Sequence, residues 1–384
     1  MIDKKIYKLD YIRELQGRYQ TDPGLLERVL YAFGLLEALV KVGMKFTFKG
    51  GTSLMLLLEH PLRLSTDIDI IVEPGTDVEG FIGAAGTIFP FLRTDQDIRK
   101  GQNNIEKRHF KFIYHSPIRQ KEFYILLDIV FMESPYDMVV SKPIGNDLLM
   151  TEAEDLPVTM PTLECILGDK LTAFAPHTTG VPLGKNKELE IAKQLYDVAV
   201  LAERMKDQSQ FKATYNKAVE EELAFRGLDL QKSDVLKDTI RACICIISRG
   251  TYDKEDYVEY LKGCRSLTSH ILGNRFTPEI AAEIACSVMC LAASVLTDKE
   301  FPQITDPEGY AKERLAGNQY KKLAYIRKRS LKAYGYLVEA TRMLESEEDS
   351  VHISGRRKQG ILADKFHSID KDFDETPDCF KDYV

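Results

Sequence analysis

The sequence lacks any long hydrophobic run, and none of its apolar stretches approaches the roughly 18 residues of a membrane span. It also lacks an apolar signal-peptide region, because its first residues, MIDKKIYKLDYIREL, are charged from the third position onward. These two features argue against a membrane-spanning or secreted protein. We therefore expect a cytoplasmic protein with no membrane partner.

Cysteine is scarce and unpatterned. The 384 residues include seven cysteines, with no C-x-x-C pair and no Cys/His ligand spacing. A structural zinc site is therefore not expected, and an odd cysteine count without a framework is typical of a reducing compartment. Cys286 and Cys290 lie four residues apart in the apolar run IACSVMCLAASVL, where we expect small core residues.

A large excess of positive charge is also absent. The formal net charge is −7 at pH 7, which argues against a protein that coats nucleic acid along its whole surface. A net negative charge is still compatible with a basic patch on one part of the surface. A chain that is 44% hydrophobic and 29% charged has an ordinary globular composition, and its length predicts two domains.

The first part of the chain mixes helix and strand signals. Helical spacing of apolar residues predicts a helix over 23–42, with Asp22 as its N-cap and Gly43 as its stop. Further helices are expected over 52–60 and 78–91. Strand patterns, rich in β-branched and aromatic residues, occur at 45–49, 66–72, 108–114 and 122–131. These strands predict one mixed or antiparallel sheet in an α/β domain spanning residues 1–160.

The second part reads as helical throughout. Helical periodicity recurs at 163–175, 187–204, 233–247, 254–271, 278–296 and 310–344. We predict a helical domain over 161–345, and hence an α+β fold for the whole chain. The last segment, 346–384, is rich in Ser, Asp, Glu and Lys, which is typical of a partly disordered tail.

Two carboxylates interrupt a strand that otherwise reads as buried, in the stretch STDIDIIV. Period-two geometry places Asp67 and Asp69 on one strand face, where two like charges are costly without a cation. Asp128, in ILLDIVF, interrupts a second apolar strand. A solvated edge strand and a hydrogen-bonded structural Asp are the alternatives. The flanking isoleucines favour a metal site instead, since three carboxylates can hold two Mg²⁺ ions for phosphoryl transfer.

Glycines precede this strand, in the series KGGTSL. Gly50 and Gly51 would let the backbone approach a phosphate at the start of a helix, and Thr52 and Ser53 would add hydroxyl donors. A plain tight turn is the alternative, and it is the more common meaning of this pattern.

The series G-G-T-S-L followed by R-L-S-T-D-I-D, from Arg63 to Asp69, resembles the first motif of the AbiEii family. These proteins are nucleotidyltransferase toxins of type IV toxin–antitoxin systems. The family's second motif, an Asp in an apolar strand, is matched by Asp128, and its third, a Lys on a helix, by Lys170. The fourth, K-D-x-x-D, reads here K-Q-L-Y-D up to Asp197, with Gln194 in place of an Asp.

The resemblance, over roughly residues 40–205, implies a polymerase-β-type nucleotidyltransferase core with a mixed sheet and flanking helices, followed by a helical C-terminal half. It implies that Asp67 and Asp69 bind two Mg²⁺ ions, which coordinate the triphosphate of an NTP. It also implies that Asp128 completes the second metal site and helps to activate the attacking hydroxyl. Lys170 would neutralise triphosphate charge, and Asp197 would orient Lys170 or the nucleotide. The remaining residues expected to contact the nucleotide are Gly50, Gly51, Thr52, Ser53, Arg63 and Lys193.

Several of these assignments have structural alternatives. Lys170 follows an apolar helical face and could be a surface lysine. Asp197 could form an ordinary i,i+4 salt bridge with Lys193. Arg63 could bind phosphate or pair with Asp67. The loop HTTGVPLGKNK, with His177 and Lys185, could reach the nucleotide, but we expect a mobile solvated loop.

A basic segment lies near the end of the helical part. Residues 312–332 hold eight Lys/Arg and one Glu, interleaved with Tyr320 and Tyr325. Basic residues contact phosphates and tyrosines stack on bases, so we predict an RNA-binding face; a solvated helix face is the alternative. The resemblance implies tRNA as the leading acceptor and a cognate antitoxin protein as a partner.

Three functions thus compete. The first is a Mg²⁺-dependent nucleotidyltransferase toxin that acts on RNA within a toxin–antitoxin or phage-defence system. The second is a nucleotidyltransferase that modifies a protein or a small hydroxylated molecule. The third is a nucleotide-binding regulator without turnover. The three carboxylates argue against the third, because binding without chemistry needs no third carboxylate.

Overall fold

The computed structural model describes residues 1–58, 60–97, 106–152, 156–273 and 275–353. The chain divides into two compact units. Among the described residues, the first contains Met1–Thr162 and Thr268–Arg275, and the second contains Leu163–Leu267 and residues 276–353. Most of the predicted polar tail, residues 354–384, lies outside the described residues, whereas its first residues continue a helix.

The first unit contains all the strands that the described residues form. They are β1 (Thr47–Lys49), β2 (Ile68–Val72), β3 (Phe91–Asp97), β4 (Lys107–Ser116), β5 (Lys121–Phe131), β6 (Val139–Pro143) and β7 (Pro157–Pro161). Five of them form a sheet in the order β1-β2-β5-β4-β3, in which only β2 and β5 run parallel. Strands β6 and β7 form a separate antiparallel hairpin. The predicted mixed sheet is therefore confirmed.

Among the described residues, four α-helices belong to the first unit: α1 (Leu9–Tyr19), α2 (Pro23–Lys41), α3 (Gly50–Leu57) and α4 (Glu79–Ala85). The second unit is helical, with α5 (Leu163–Ala173), α6 (Glu188–Ala202), α7 (Gln208–Arg226), α8 (Lys232–Ile247), α9 (Lys254–Leu267), α10 (Pro278–Leu296) and α11 (Leu331–Ile353). The α+β fold class, a nucleotidyltransferase-like mixed sheet with helices followed by a helical half, is confirmed.

Helix α2 supports the sheet of the first unit. Asp22 caps it by accepting a hydrogen bond from the Leu25 N–H at 2.8 Å, as predicted. The helix carries two buried carboxylates, Glu27 and Glu37, of which Glu27 is only 1% exposed. Glu27 accepts hydrogen bonds from the hydroxyls of Tyr114 and Ser116, each at 2.9 Å. Because burying an unpaired charge is costly, this network fixes α2 against β4.

Helix α10 lies in the core of the second unit. Thr277 caps it, Pro278 occupies its first turn, and Cys286 and Cys290 are fully buried on it. Its most apolar 18-residue window is long and apolar enough to cross a membrane, but 67% of that window is buried inside the protein. Such burial is typical of the core helix of a soluble protein. The six cysteines among the described residues are buried thiols.

Several features differ from the sequence-based expectation. The predicted helix over 310–344 is instead a 3₁₀ helix at Asn318–Lys328 followed by α11. Gly317, with φ +77, precedes the 3₁₀ helix in a conformation that an α-helix cannot contain. Helix α7 was not predicted, because its apolar spacing is weak. Strand β3 was not predicted either, and the helix predicted over 78–91 covers only Glu79–Ala85.

A short returning segment completes the first unit. Residues 268–275 come back to the sheet unit after α9 and pair with the loop that precedes β2. Arg63 forms an antiparallel bridge with Ile271. The Leu64 N–H donates to the His270 carbonyl at 2.7 Å, and the Leu272 N–H donates to the Leu62 carbonyl at 3.0 Å. The loop before β2 is therefore held by a segment that lies about 200 residues later in the sequence.

Candidate active site

Two consecutive glycines bring the start of α3 against the acidic strand β2. Gly50 has φ +81, in the left-handed region that favours glycine. A Cβ atom at Gly50 would overlap the carboxylate of Asp69, since it would lie 2.9 Å from Cγ and closer still to Oδ2. A Cβ atom at Gly51 would lie 2.7 Å from Nη2 of Arg63. Both glycines therefore permit a close approach that any side chain would block.

The sheet register places four polar side chains in one row. Asp69 of β2 lies opposite Asp128 of β5 and, on its other side, opposite Lys49 of β1. Asp128 lies in turn opposite His109 of β4. Directly paired residues point to the same face of a sheet, and neighbouring strands are about 4.8 Å apart. The row therefore brings two carboxylates together between a lysine and a histidine.

Asp67 lies just before β2. The predicted strand included Asp67, but β2 begins one residue after it, at Ile68. The backbone carbonyl of Asp67 accepts a hydrogen bond from the Thr52 hydroxyl at 2.6 Å. Its Oδ1 is 3.8 Å from a guanidinium nitrogen of Arg28 on α2. Asp67 is 8% exposed, so Arg28 stabilises a carboxylate that is largely removed from water.

The donor set of the row fits a divalent cation. Asp69 and Asp128 supply carboxylate oxygens, which are the ligands that Mg²⁺ prefers, and their strands place them close enough to share one ion. Among the described residues, no group of three or more His, Cys, Asp or Glu side chains has the arrangement of a complete metal site. The pair Asp69–Asp128 thus forms the part of the site that fits a cation, while Asp67 faces Arg28.

His109 is a residue that the sequence reasoning missed. Its Nδ1 is 2.6 Å from Oδ1 of Asp128, and the imidazole is almost fully buried. A hydrogen bond of this length fixes the orientation of the carboxylate. The strand RHFKFIY did contain a signal, because a histidine at a buried position of a β-strand needs a polar partner.

The two hydroxyl groups that follow the glycines, on Thr52 and Ser53, form hydrogen bonds within the protein. The Thr52 hydroxyl bonds the Asp67 carbonyl, and the Ser53 hydroxyl donates to the Gly50 carbonyl at 2.8 Å. Both residues are fully buried. Thr52 therefore ties α3 to the start of β2, and Ser53 stabilises the first turn of α3.

Arg63 is also held in place by the backbone. It is 6% exposed, and its Nη1 donates to the Leu64 carbonyl at 3.2 Å. Its other guanidinium nitrogen faces Gly51. The returning segment fixes the strand-like conformation of the loop at this residue. Arg63 thus places positive charge at the start of α3, where the helix dipole is also positive.

The second unit contains a buried ion pair formed by two predicted site residues. Nζ of Lys170 on α5 is 2.8 Å from Oδ2 of Asp197 on α6. The two side chains are 7% and 2% exposed, respectively. The surface-lysine alternative for Lys170 is therefore wrong. A charged pair at this depth is costly to form and very costly to break.

The departure from the family motif lies at this pair. Gln194 accepts a hydrogen bond from Nζ of Lys170 at 3.3 Å. A glutamine at this position thus still offers Lys170 an oxygen, without adding a second negative charge. Lys193, one residue earlier, forms an ion pair with Glu190 at 2.8 Å and is mostly buried.

The loop that begins at residue 176 is more ordered than expected. Thr178 and Thr179 are buried, and the His177 N–H donates to Oδ2 of Asp238 at 2.8 Å. Burial raises the pKa of Asp238 to about 6, against the opposing effects of His177 and Thr178. Burial lowers the pKa of His177, but its hydrogen bond to Asp256 and the nearby charges outweigh this and raise it. The expectation of a mobile solvated loop is therefore wrong for this half; Lys185, in the other half, is exposed.

Among solved structures, the chain is similar to JHP933 from Helicobacter pylori. The two are 17% identical, the match covers 71% of this chain and 93% of that one, and the TM-score is 0.39. No curated protein matches the chain. The family model described as "Nucleotidyl transferase AbiEii toxin, Type IV TA system" matches residues 34–277. The chain belongs to the AbiEii family.

Membership in the AbiEii family makes the chain a nucleotidyltransferase toxin of a type IV toxin–antitoxin system. The match spans the glycine turn, the carboxylate row and the Lys170–Asp197 pair. It therefore covers parts of both units. It ends two residues after the returning segment and before the basic segment of residues 312–332.

Arg28 on α2 was missed from the sequence and precedes the AbiEii match. Its Nε is buried without a hydrogen-bond acceptor among the described residues, while its guanidinium lies near Asp67. The signal was a charged residue within the run LLERVLYAF, where most positions are buried. A buried donor with spare capacity next to a carboxylate is suited to binding an additional anion.

The glycine turn gives a sharp mutational prediction. In an AbiEii active site built on Asp69, Gly50→Ala should reduce nucleotidyl transfer at least 100-fold, because its Cβ atom must displace the Asp69 carboxylate; that factor corresponds to about 3 kcal/mol. The matched control is Gly75→Ala, at a position with φ +80 where no heavy atom of the described residues lies within 4 Å of the added Cβ. Both variants carry similar backbone strain of about 1–3 kcal/mol, so they differ mainly in the contact with Asp69. If both lost the same activity when the same fraction of protein was folded, the role of Asp69 would be contradicted.

Proposed function

We propose that this protein is a Mg²⁺-dependent toxin that transfers an NMP from an NTP to an RNA acceptor, with tRNA as the leading acceptor. We place it in the cytoplasm, where a separately encoded antitoxin protein opposes it, as part of phage defence. The observation that carries the proposal is the in-register pair Asp69–Asp128 beneath the glycine turn at the start of α3.

The carboxylates take the metal-binding roles. Asp69 and Asp128 would hold one Mg²⁺, and Asp67 together with Asp69 would hold the second. When bound, Mg²⁺ supplies positive charge that stabilises the triphosphate and the leaving pyrophosphate. The hard oxygen ligands that these carboxylates supply support Mg²⁺ over softer metals.

The chain's own residues position and balance the reaction. The backbone N–H groups at Gly51 and the start of α3 bind phosphate oxygens, and Arg63 adds positive charge there. Asp128, oriented by His109, accepts the proton of the acceptor hydroxyl. The hydroxyl oxygen then bonds to the α-phosphorus, the bond from that phosphorus to the bridging oxygen breaks, and pyrophosphate leaves.

The buried pair in the second unit takes a positioning role. Asp197 and Gln194 hold the ammonium group of Lys170 in one orientation. We propose that Lys170 neutralises triphosphate charge, and that Lys193 contributes a second positive charge to the nucleotide. Such fixed charges stabilise a phosphoryl-transfer transition state without reorganisation.

The test is a labelling experiment with purified protein, Mg²⁺, total tRNA and each of the four α-³²P-labelled NTPs in turn. We expect label from one NTP to enter tRNA and to disappear when EDTA removes the metal. Label in a protein or a small hydroxylated molecule instead would assign a different acceptor. Tight Mg²⁺-dependent NTP binding without transfer to any acceptor would favour a regulator without turnover and would contradict the proposal.

A further inference from the structure

A surface cleft lies in the second unit, where the turn after α8 faces the 3₁₀ helix Asn318–Lys328. It has a volume of about 470 Å³ and is lined by Ser248, Arg249, Thr251, Lys322 and Tyr325. Its size falls in the range of small-ligand sites, about 300–1,000 Å³. The cleft is separate from the residues assigned above to nucleotide binding, and it contains part of the basic segment.

The cleft carries positive charge that is only partly balanced. Arg249 has one guanidinium nitrogen 3.0 Å from Oε1 of Glu279, and its remaining donors are not used by that contact. Lys322 is exposed and forms no ion pair with the described residues. The same is true of Lys321 and Lys328 on the same 3₁₀ helix. The cleft and its rim are therefore a local basic patch on an acidic chain.

Nearby acidic groups do not cancel this patch. Glu279 faces Arg249, and Glu283 pairs with Arg329 at 3.1 Å. The C-terminal carbonyls of α8, which would repel an anion, already accept hydrogen bonds from within the protein. The hydroxyl of Tyr325 donates to the Ile247 carbonyl at 2.6 Å.

Aromatic rings stand beside the charges. The hydroxyl contact of Tyr325 fixes its ring, which lies 5.5 Å from the Arg249 guanidinium carbon. Tyr252, next to the lining residue Thr251, is 45% exposed and its hydroxyl donates to the Gln319 carbonyl. Two tyrosines anchored by their hydroxyls offer pre-oriented faces on which a base can stack.

We propose that this cleft binds a phosphate and an adjacent base of the RNA acceptor. Lysine and arginine donors would contact the phosphate, and the Tyr325 ring, with the Arg249 guanidinium, would stack on the base. The anchored aromatic faces favour RNA over an acidic protein segment, which would need only the charges. The proposal rests on the proposed RNA-directed function, because it names where that acceptor is held.

The first arm of the test measures binding of fluorescein-labelled total tRNA to the full-length protein over a range of salt concentrations. Lys322→Ala and Arg249→Ala should each reduce affinity several-fold, and each should make the slope of log K against log salt shallower by about 1, as expected for one lost phosphate contact. Lys206→Ala, an exposed lysine of the same unit that does not line the cleft, should change neither quantity.

The second arm tests stacking. Tyr325→Leu should weaken tRNA binding about tenfold, within the range for one base–aromatic stack. Tyr325→Phe, which keeps the ring and loses the hydroxyl with its bond to the Ile247 carbonyl, should bind within about twofold of wild type if the ring makes the contact. Equal weakening by both variants would show that the hydroxyl bond, and not the ring, supports binding.

Nucleotide transfer distinguishes the two proposals. If wild type labels tRNA while the cleft variants keep wild-type KM for tRNA and wild-type salt slopes, the cleft proposal is overturned and the function stands. If wild type neither labels nor binds tRNA, both fail. If the cleft variants lose affinity for poly-glutamate but not for tRNA, the cleft belongs to an acidic protein partner and the RNA assignment is wrong.

Discussion

Asp69→Asn should abolish nucleotidyl transfer, with a loss of at least about 1,000-fold in kcat/KM. Removing a metal-binding carboxylate forfeits several kcal/mol of transition-state stabilisation, and each 1.36 kcal/mol is a factor of ten. Asparagine has nearly the same shape, so the close contact with Gly50 remains filled and the sheet register is unchanged. Transfer of α-³²P label, with folding checked by circular dichroism, measures the effect.

The control for this variant is Asp10→Asn on α1. Asp10 is exposed and belongs to the same unit, and no described residue pairs with it. Its replacement should leave transfer within about twofold of wild type, since isolated surface substitutions change stability by at most about 0.5 kcal/mol. If Asp69→Asn retained more than a tenth of wild-type activity, the Asp69–Asp128 row would not be the catalytic centre.

Lys170→Met should lower the free energy of unfolding by about 3–5 kcal/mol. The substitution leaves the Asp197 carboxylate buried at 2% exposure without the ammonium group that now lies 2.8 Å away. The loss would be among the largest that a single substitution produces. Urea-induced unfolding of the variant and of wild type, followed by circular dichroism, measures it.

The matched control is Lys212→Met, which removes a lysine from an ion pair of 2.9 Å whose partner, Asp298, is 95% exposed. That change should cost no more than about 1 kcal/mol. The double variant Lys170→Met/Asp197→Leu should recover most of the lost stability, because well-packed apolar residues can replace a buried pair. A stable double variant with full activity would show that the pair only supports folding; a stable but inactive one would place Lys170 in the reaction.

Much of the fold could be predicted because it is encoded locally. The strands over β2, β4 and β5 follow from β-branched and aromatic alternation, and α2 and α10 follow from helical spacing with caps. Strand β3 and helix α7 could not be predicted, because their polar residues give no clear period. The end of the helical half was misread since Gly317 alone does not reveal that it adopts a left-handed conformation.

Spacing along the chain predicts the parts of the site that lie close together in sequence. Asp67, Asp69 and the glycine turn are separated by fewer than 20 residues, and their spacing carries the signal. The partners of the carboxylates come from packing. Arg28 reaches Asp67 only because α2 packs against the sheet within the first unit, and His109 reaches Asp128 only through the β4–β5 register. No local pattern encodes either contact.

The returning segment has a consequence for synthesis on the ribosome. The hydrogen bonds at Leu64 and Leu272 that hold the loop before β2 need residues 270 and 272, so a nascent chain that has not yet released them cannot form either bond. A fragment that stops at Thr162 has the same defect, even though it contains every strand described. The motif with Arg63, Asp67 and Asp69 is thus synthesised early, but the hydrogen bonds that hold its loop form only late in synthesis. The toxin therefore cannot be fully assembled on the ribosome until about two-thirds of the protein has emerged.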